Sequence, residues 1–192
     1  MKDERHLPTT AYAVLGLLSF GRELSGYDLK KWADNSLRYF FWSPAISNIY
    51  GELKRLEQLG YVVARAVAQD DLRNKRVFRI TDDGRAALLA WIDEASVEPP
   101  VLKDHVLLRV WLGHVTSRER LLALVDDEEA SARRVAEDVR RSLELSREDP
   151  AFAFPAAVEE WCLRYQQSRI DAFAELRKTL AALPDVKPGR SP

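Results

Sequence analysis

The sequence predicts a mainly α chain in two parts, with a single β-hairpin near the end of the first. Three short stretches between Thr9 and Leu59 read as helices, and the third repeats apolar residues at the three-and-four spacing of a single buried stripe. Val63, Arg65 and Val67, then Val77, Arg79 and Thr81 around Phe78 and Ile80, alternate with the period of two expected of strands. Beyond Pro99-Pro100 the pattern is wholly helical and ends in two long segments. Three short helices followed by a two-stranded hairpin are the plan of a winged helix-turn-helix domain with a two-stranded β-wing. Behind it we expect an α-helical dimerisation domain with two long antiparallel helices.

The elements follow in order. Thr9 or Thr10 caps a first helix, TAYAVLGLLSF, whose broad apolar surface places it at the centre of the first domain, and Gly21 ends it. A second helix opens at Ser25 in SGYDLKKWA, with Asp28 as a capping-box partner, and is expected to reach about Leu37. The aromatic run Tyr39 to Trp42 packs the turn into the third helix. That helix, in SPAISNIYGELKRLEQLGY, is opened by Ser43 and Pro44 and closed at Leu59-Gly60, and its expected buried stripe is Ile46, Ile49, Leu53, Leu56 and Leu59. QDDLRNK is read as a polar turn between the strands. Thr81 or Asp82 caps a fourth helix, DDGRAALLAWIDEA.

The second part begins with a short apolar segment from Asp104 to Val115. Two long helices are then expected, from Ser117 to about Leu145 and from about Pro155 to Leu183, each on the order of 40 Å long. Leu121, Val125, Ala132, Val135 and Val139 form the first stripe; Val158, Trp161, Tyr165, Phe173, Leu176, Leu180 and Leu183 form a looser second one. Two such helices cannot bury themselves alone, so a second copy of the chain is the expected partner. The expected boundaries are 1–98 for the winged-helix domain, 99–185 for the helical dimerisation domain, and 186–192 for a disordered tail.

The 192 residues are 46% apolar, enough for a packed core, and carry a formal net charge of −1. The average hides a split. Met1 to Thr81 holds 13 Lys and Arg against 9 Asp and Glu, a balance of +4, while the remainder holds 16 against 21, a balance of −5. A locally basic part can attract a polyanion although the whole is near neutral. The single cysteine, Cys162, excludes an internal disulfide and suits a reducing cytoplasm. No apolar run is long enough to span a bilayer, so no membrane partner is expected.

The third helix carries the chemistry. Its stripe leaves Ser47, Asn48, Tyr50, Gly51, Lys54 and Arg55 on or beside the other side. Asn reads adenine edges, Arg and Lys read guanine edges, and hydroxyls bond phosphates or bases. Gly51 allows close backbone approach. Arg73, Lys75 and Arg76 in the hairpin fit a wing at the adjacent groove or its phosphates, and Lys30 and Lys31 fit backbone contacts. Taken singly, each cation is more simply a solvated surface charge; the ordered combination points to double-stranded DNA. The alternative is a winged-helix protein–protein interaction module without DNA binding, whose affinity would depend far less on salt.

AVLGLLSFGRELSGYDL, FWSPAISNIYGELKRLEQLGYV and RNKRVFRITDDGRAALLAWI resemble the N-terminal domain of the PadR family of bacterial transcriptional regulators, from Thr9 to about Ala95. The helical remainder is similar in length and layout to the longer C-terminal domains of the virulence-activator branch. The resemblance implies a homodimeric repressor or activator, with Tyr50 as the signature tyrosine of the recognition helix and Ser47 and Asn48 at its groove-facing positions. It also implies a response to phenolic acids or hydrophobic drugs through aromatic residues. The wing departs from the family pattern: Asp70 and Asp71 stand where many relatives have a glycine-rich, more basic tip.

Other chemistry finds little support. His6, His105 and His114 make no metal cluster, Cys162 reads as a small buried apolar residue, and the acidic run Asp126 to Glu129 reads as a solvated face. Nucleophile-elbow, phosphate-loop and zinc-protease motifs are absent, so no enzyme, metal or cofactor is expected. A small aromatic effector is expected to stack on Trp161 and Tyr165, with Trp111 as a further candidate. Filling of a dimer core is the plainer reading of any one of these rings.

Overall fold

The structure, a computed structural model, describes residues 7–69, 72–97 and 99–184. The wing-tip residues Asp70 and Asp71 and the expected tail 186–192 lie outside the described residues, as does His6. The chain divides into two compact units, 1–98 and 99–192.

In the first unit, helix α1 (Thr9–Leu18) buries Ala11, Tyr12, Val14, Leu15, Leu17 and Leu18, apolar nearly all round as a central helix must be. Neither Thr9 nor Thr10 caps it. Pro8 stands at the N-cap in extended conformation, and Thr9 is already helical. Helix α2 (Gly26–Asn35) has the expected capping box between Ser25 and Asp28 but stops short of Leu37. Ser36 leaves helical geometry, and Leu37–Tyr39 form a separate 3-10 turn.

Helix α3 (Ile46–Gln58) starts later than the Ser43-Pro44 signal suggests, with Ala45 at its N-cap. It buries Ile49, Leu53 and Leu56, whereas Ile46 and Leu59 remain 40% and 48% exposed. The two lie at the ends of the stripe, so the core grips only its middle. Gly60 has φ +75 just past the end, the left-handed conformation for which glycine is suited.

Strands β1 (Val62–Gln69) and β2 (Leu72–Ile80) pair antiparallel, Val62 opposite Ile80 and Ala64 opposite Phe78, while Leu24 bridges Phe78 from outside the hairpin. Buried Val62, Phe78 and Ile80 close the core from this side. The strands run further than expected: Gln69 still pairs with Leu72, so Arg73 and Lys75, expected in the turn, belong to β2 together with Arg76. Helix α4 (Asp82–Glu94) is capped by Thr81, whose hydroxyl accepts from the Gly84 N–H. Trp91 of α4 stacks on Tyr12 at 4.7 Å.

In the second unit Asp104 caps α5 (His105–Trp111), and Gly113–Val115 make a 3-10 turn. Helices α6 (Arg118–Arg147) and α7 (Ala153–Ala182) follow, each of 30 residues and about 45 Å long. They run antiparallel: Ser142 meets Glu159, Glu128 meets Arg169 and Asp126 meets Arg177, one number falling as the other rises. Asp126 and Glu128 thus latch α7, a use that the solvated-face reading of the acidic run missed.

On α6 the buried positions are Leu121, Val125, Ala132, Ala136, Val139 and Leu143, with Val135 only half-buried beside Ala136. On α7 the structure corrects the expected stripe. Phe173 and Leu180 are buried and Leu176 half-buried, but Val158, Trp161, Tyr165 and Leu183 face solvent. The face turned to α6 is Ala156, Glu159, Cys162, Gln166 and Ile170. Small side chains let the two helices approach, and the Ser142 hydroxyl donates to Glu159 at 2.6 Å. Cys162 is fully buried; burial first, then the charge of Glu159, pushes its thiol pKa up.

Candidate nucleic-acid interface

Because α3 seats itself through Ile49, Leu53 and Leu56, its opposite side is committed to the outside. Ser47, Asn48, Tyr50, Gly51, Lys54 and Arg55 are all exposed within the first unit. At 100° per residue they fall within an arc of about 160° opposite the buried three. Tyr50 is 48% exposed and its ring lies on the first turn of α2. A Cβ added to Gly26 would come within 2.6 Å of two carbons of that ring, so only glycine fits there without movement. Sequence reasoning missed Gly26, whose signal was a glycine inside the first turn of an otherwise well-capped helix.

A Cβ on Gly51, in contrast, meets nothing within 4 Å. Gly51→Ala is therefore expected to raise the stability of the fold by roughly 0.5–1 kcal/mol, since Ala is the better helix former. If α3 approaches a partner at Gly51, the same methyl group weakens binding by tenfold or more. Thermal melting and a binding titration on one preparation check both halves.

The cations divide into two sets. Among the described residues Lys31 and Lys54 have no carboxylate partner, and Arg55 has only a loose one, Glu52 at 3.7 Å. Lys30 instead pairs with Asp34 and donates to the Ser43 hydroxyl at 3.1 Å, and Ser43 donates to Asp34 at 2.5 Å. Hydrogen bonds from Lys30 first and Ser43 second hold the Asp34 carboxyl below its ordinary value. Lys75 pairs with Asp28 at 2.8 Å, and Arg76 pairs with Glu57 at 2.6 Å while lying over the Phe78 ring. Three cations expected to meet phosphates are thus already held by carboxylates of their own chain. The side chain of Arg73 lies outside the described part.

Partial burial pushes the Asp28 carboxyl up, but hydrogen bonds from Lys75 and Ser25 together outweigh it and leave the pKa lowered. Asp28 therefore stays ionised at neutral pH, as its bond to Lys75 requires.

The aromatic candidates separate. Trp161 and Tyr165 stack face to face, 5.4 Å apart and 5° from parallel. Trp111 lines a cavity of about 210 Å³ with His114, Arg118, Leu180 and Leu183. Along α7, Tyr165 and Leu180 are roughly 22 Å apart, so within one chain Trp111 does not join the stacked pair. Among the described residues no group of three or more His, Cys, Asp or Glu is placed to hold a metal ion, and no helix is long and apolar enough to cross a membrane.

The sequence profile described as "Transcriptional regulator PadR-like family" matches residues 14–90. The negative transcriptional regulator PadR of Bacillus subtilis (strain 168) is 33% identical over 147 residues, 75% of this chain and 80% of that protein. Its crystal structure in complex with operator DNA is similar with a TM-score of 0.76 at 27% identity, over 90% of this chain and 99% of that one. Its complex with p-coumaric acid is similar with a TM-score of 0.69 at 26% identity, over 91% and 99%. The Vibrio cholerae virulence activator AphA, at 23% identity and a TM-score of 0.66 over 91% and 99%, shares the fold.

Proposed function

The chain belongs to the PadR-like family of transcriptional regulators, and from that premise we propose that it is a cytoplasmic, non-enzymatic repressor that binds a pseudo-palindromic operator as a homodimer. Residues 1–98 are the DNA-binding part and 99–185 the dimerisation part in this reading. The observation that carries it is the exposed side of α3, where hydroxyl, amide and cationic groups surround Gly51 and no carboxylate is among them. Such a surface suits base edges in a major groove, and a similar protein is known in complex with operator DNA. Two recognition helices in successive grooves place half-site centres about 34 Å apart, or a multiple of that.

Selection of bound DNA from a random double-stranded library tests this, followed by affinity measurement over a range of salt. If Lys31, Lys54 and Arg55 of both protomers each neutralise one phosphate, the logarithm of affinity falls against the logarithm of salt with a slope of about −5. Failure to enrich any sequence, with a flat salt response, would favour the protein-interaction module instead. A small aromatic effector belongs to the same proposal, supported by the p-coumaric acid complex of the similar protein and by the stacked face of Trp161 and Tyr165. Saturating p-coumaric acid releases the selected DNA in the same assay if the effector class is right, and leaves it bound if not.

A further inference from the structure

We infer that the first turn of α2, Ser25 to Asp28, is the joint that sets the recognition tyrosine and the wing relative to each other, so that Gly26, Asp28 and Lys75 act on DNA recognition as positioning residues. This rests on the reading of α3 as the DNA-facing helix. Two separate contacts meet in that single turn. Gly26 is buried, and the space a side chain would take is filled by the ring of Tyr50 from α3. Two residues later one oxygen of Asp28 accepts from the Ser25 N–H at 3.0 Å, from the Ser25 hydroxyl at 2.7 Å and from Lys75 of β2 at 2.8 Å. The group that caps α2 therefore also holds the wing.

The wing is gripped on its other face too. Lys75 and Arg76 are neighbours on a strand, so their side chains leave opposite faces of the hairpin. Lys75 goes to α2, and Arg76 goes to Glu57 in the last turn of α3. A third pair, Arg65 of β1 with Glu23, lies just before α2. Partly exposed pairs of this kind contribute little to overall stability. Their arrangement around the hairpin does something else: it leaves the wing one direction relative to α3. A cation already neutralised at 2.8 Å also makes a poor phosphate ligand, which separates Lys75 from Lys31 and Lys54.

The test uses the full chain and the DNA selected by the wild type, with Asp28→Asn, Lys75→Asp, the double variant Asp28→Asn/Lys75→Asp, which keeps an oxygen for the cap, and Gly26→Ala. An asparagine amide keeps an oxygen for the cap but weakens the tie to Lys75, so Asp28→Asn is expected to bind about tenfold more weakly with an unchanged salt slope. Lys75→Asp is expected to lose more, because it sets two carboxylates against each other, and the double variant to recover to within about threefold of Asp28→Asn alone. Gly26→Ala is expected to relax the same base preferences as Tyr50→Ala in a repeated selection. Thermal melting of each variant monitors the fold.

Tighter binding by Asp28→Asn overturns the inference, because it means Asp28 merely competes with phosphate for Lys75. So does a double variant that stays as weak as Lys75→Asp with a salt slope smaller by about one, the signature of a lost phosphate contact. A Gly26→Ala protein that folds and keeps the wild-type profile removes Gly26 from the joint. Wild type that selects no DNA removes the function proposed above and this inference with it, an outcome read from the wild-type arm alone.

Discussion

Tyr50→Ala is expected to lower operator affinity by about 10- to 100-fold, and Arg55→Glu by at least as much, with sedimentation mass unchanged for both. The range corresponds to about 1–3 kcal/mol for the loss of one specific contact. Tyr50 is suited to such a role because its ring is both exposed and fixed. It is 48% exposed, yet it rests in the notch that Gly26 leaves, so little side-chain freedom remains to be lost on binding. Arg55 lies on the same side of α3 with its head in solvent, 3.7 Å from Glu52. Reversal to Glu removes an attraction and adds a repulsion toward phosphates, and it leaves the buried residues Ile49, Leu53 and Leu56 untouched. Salt separates the two variants: Arg55→Glu flattens the salt dependence, while Tyr50→Ala shifts affinity at every salt concentration by a similar factor. Unchanged affinity in both would move the interface away from this side of α3.

Local rules made several helix starts legible, although the starts expected at Thr9 or Thr10 and at Ser43 gave way to Pro8 and Ala45. Ser25 with Asp28 and Thr81 cap their helices as expected, and Asp104 and Ser117, expected only as the starts of their segments, cap theirs, because an N-cap depends on a side chain and on N–H groups two or three residues away. The alternation in the hairpin and the apolar girth of α1 were readable for the same reason. The outward side of α3 was also legible, since a helix seated on one stripe has only one opposite side.

What local pattern could not supply was the choice between competing partners. Lys75 and Arg76 read as wing cations, but Asp28 and Glu57, remote in sequence, reach them first. Ile46 and Leu59 fit the spacing of a buried stripe, but burial needs a neighbour, and the core of this unit ends before them. On α7 the error was instructive. Glu159 and Gln166 look like surface residues and Trp161 and Tyr165 like core, yet the structure reverses them. Hydrophobicity alone favoured the aromatic stripe; small side chains on both helices, Ala132 and Ala136 of α6 with Ala156 and Cys162 of α7, decided otherwise, and the Ser142 hydroxyl pairs one oxygen of Glu159.

That reversal leads to the second large effect. Trp161→Glu is expected to convert a dimer of twice 21.9 kDa into single chains at micromolar concentration. Phe154, Val158, Trp161 and Tyr165 recur at spacings of four, three and four along α7, and all four face solvent in the second unit, Trp161 at 57% exposure. An aromatic stripe of this length on a two-helix unit is the kind of surface that a second copy covers. In a two-fold interface each residue is buried twice. If each Trp161 covers about 100 Å² on association, the pair contributes roughly 5 kcal/mol at about 25 cal/mol per Å². Glu forfeits that burial and adds two charges to be desolvated, so dissociation rises by several orders of magnitude. Operator affinity then falls too, because half-sites held by separate chains lose their shared effective concentration. The pattern differs from that of Tyr50→Ala, which weakens DNA binding at constant mass. Sedimentation equilibrium decides: a Trp161→Glu chain that still runs as a dimer at micromolar concentration places the interface elsewhere and leaves the aromatic stripe without its proposed cover.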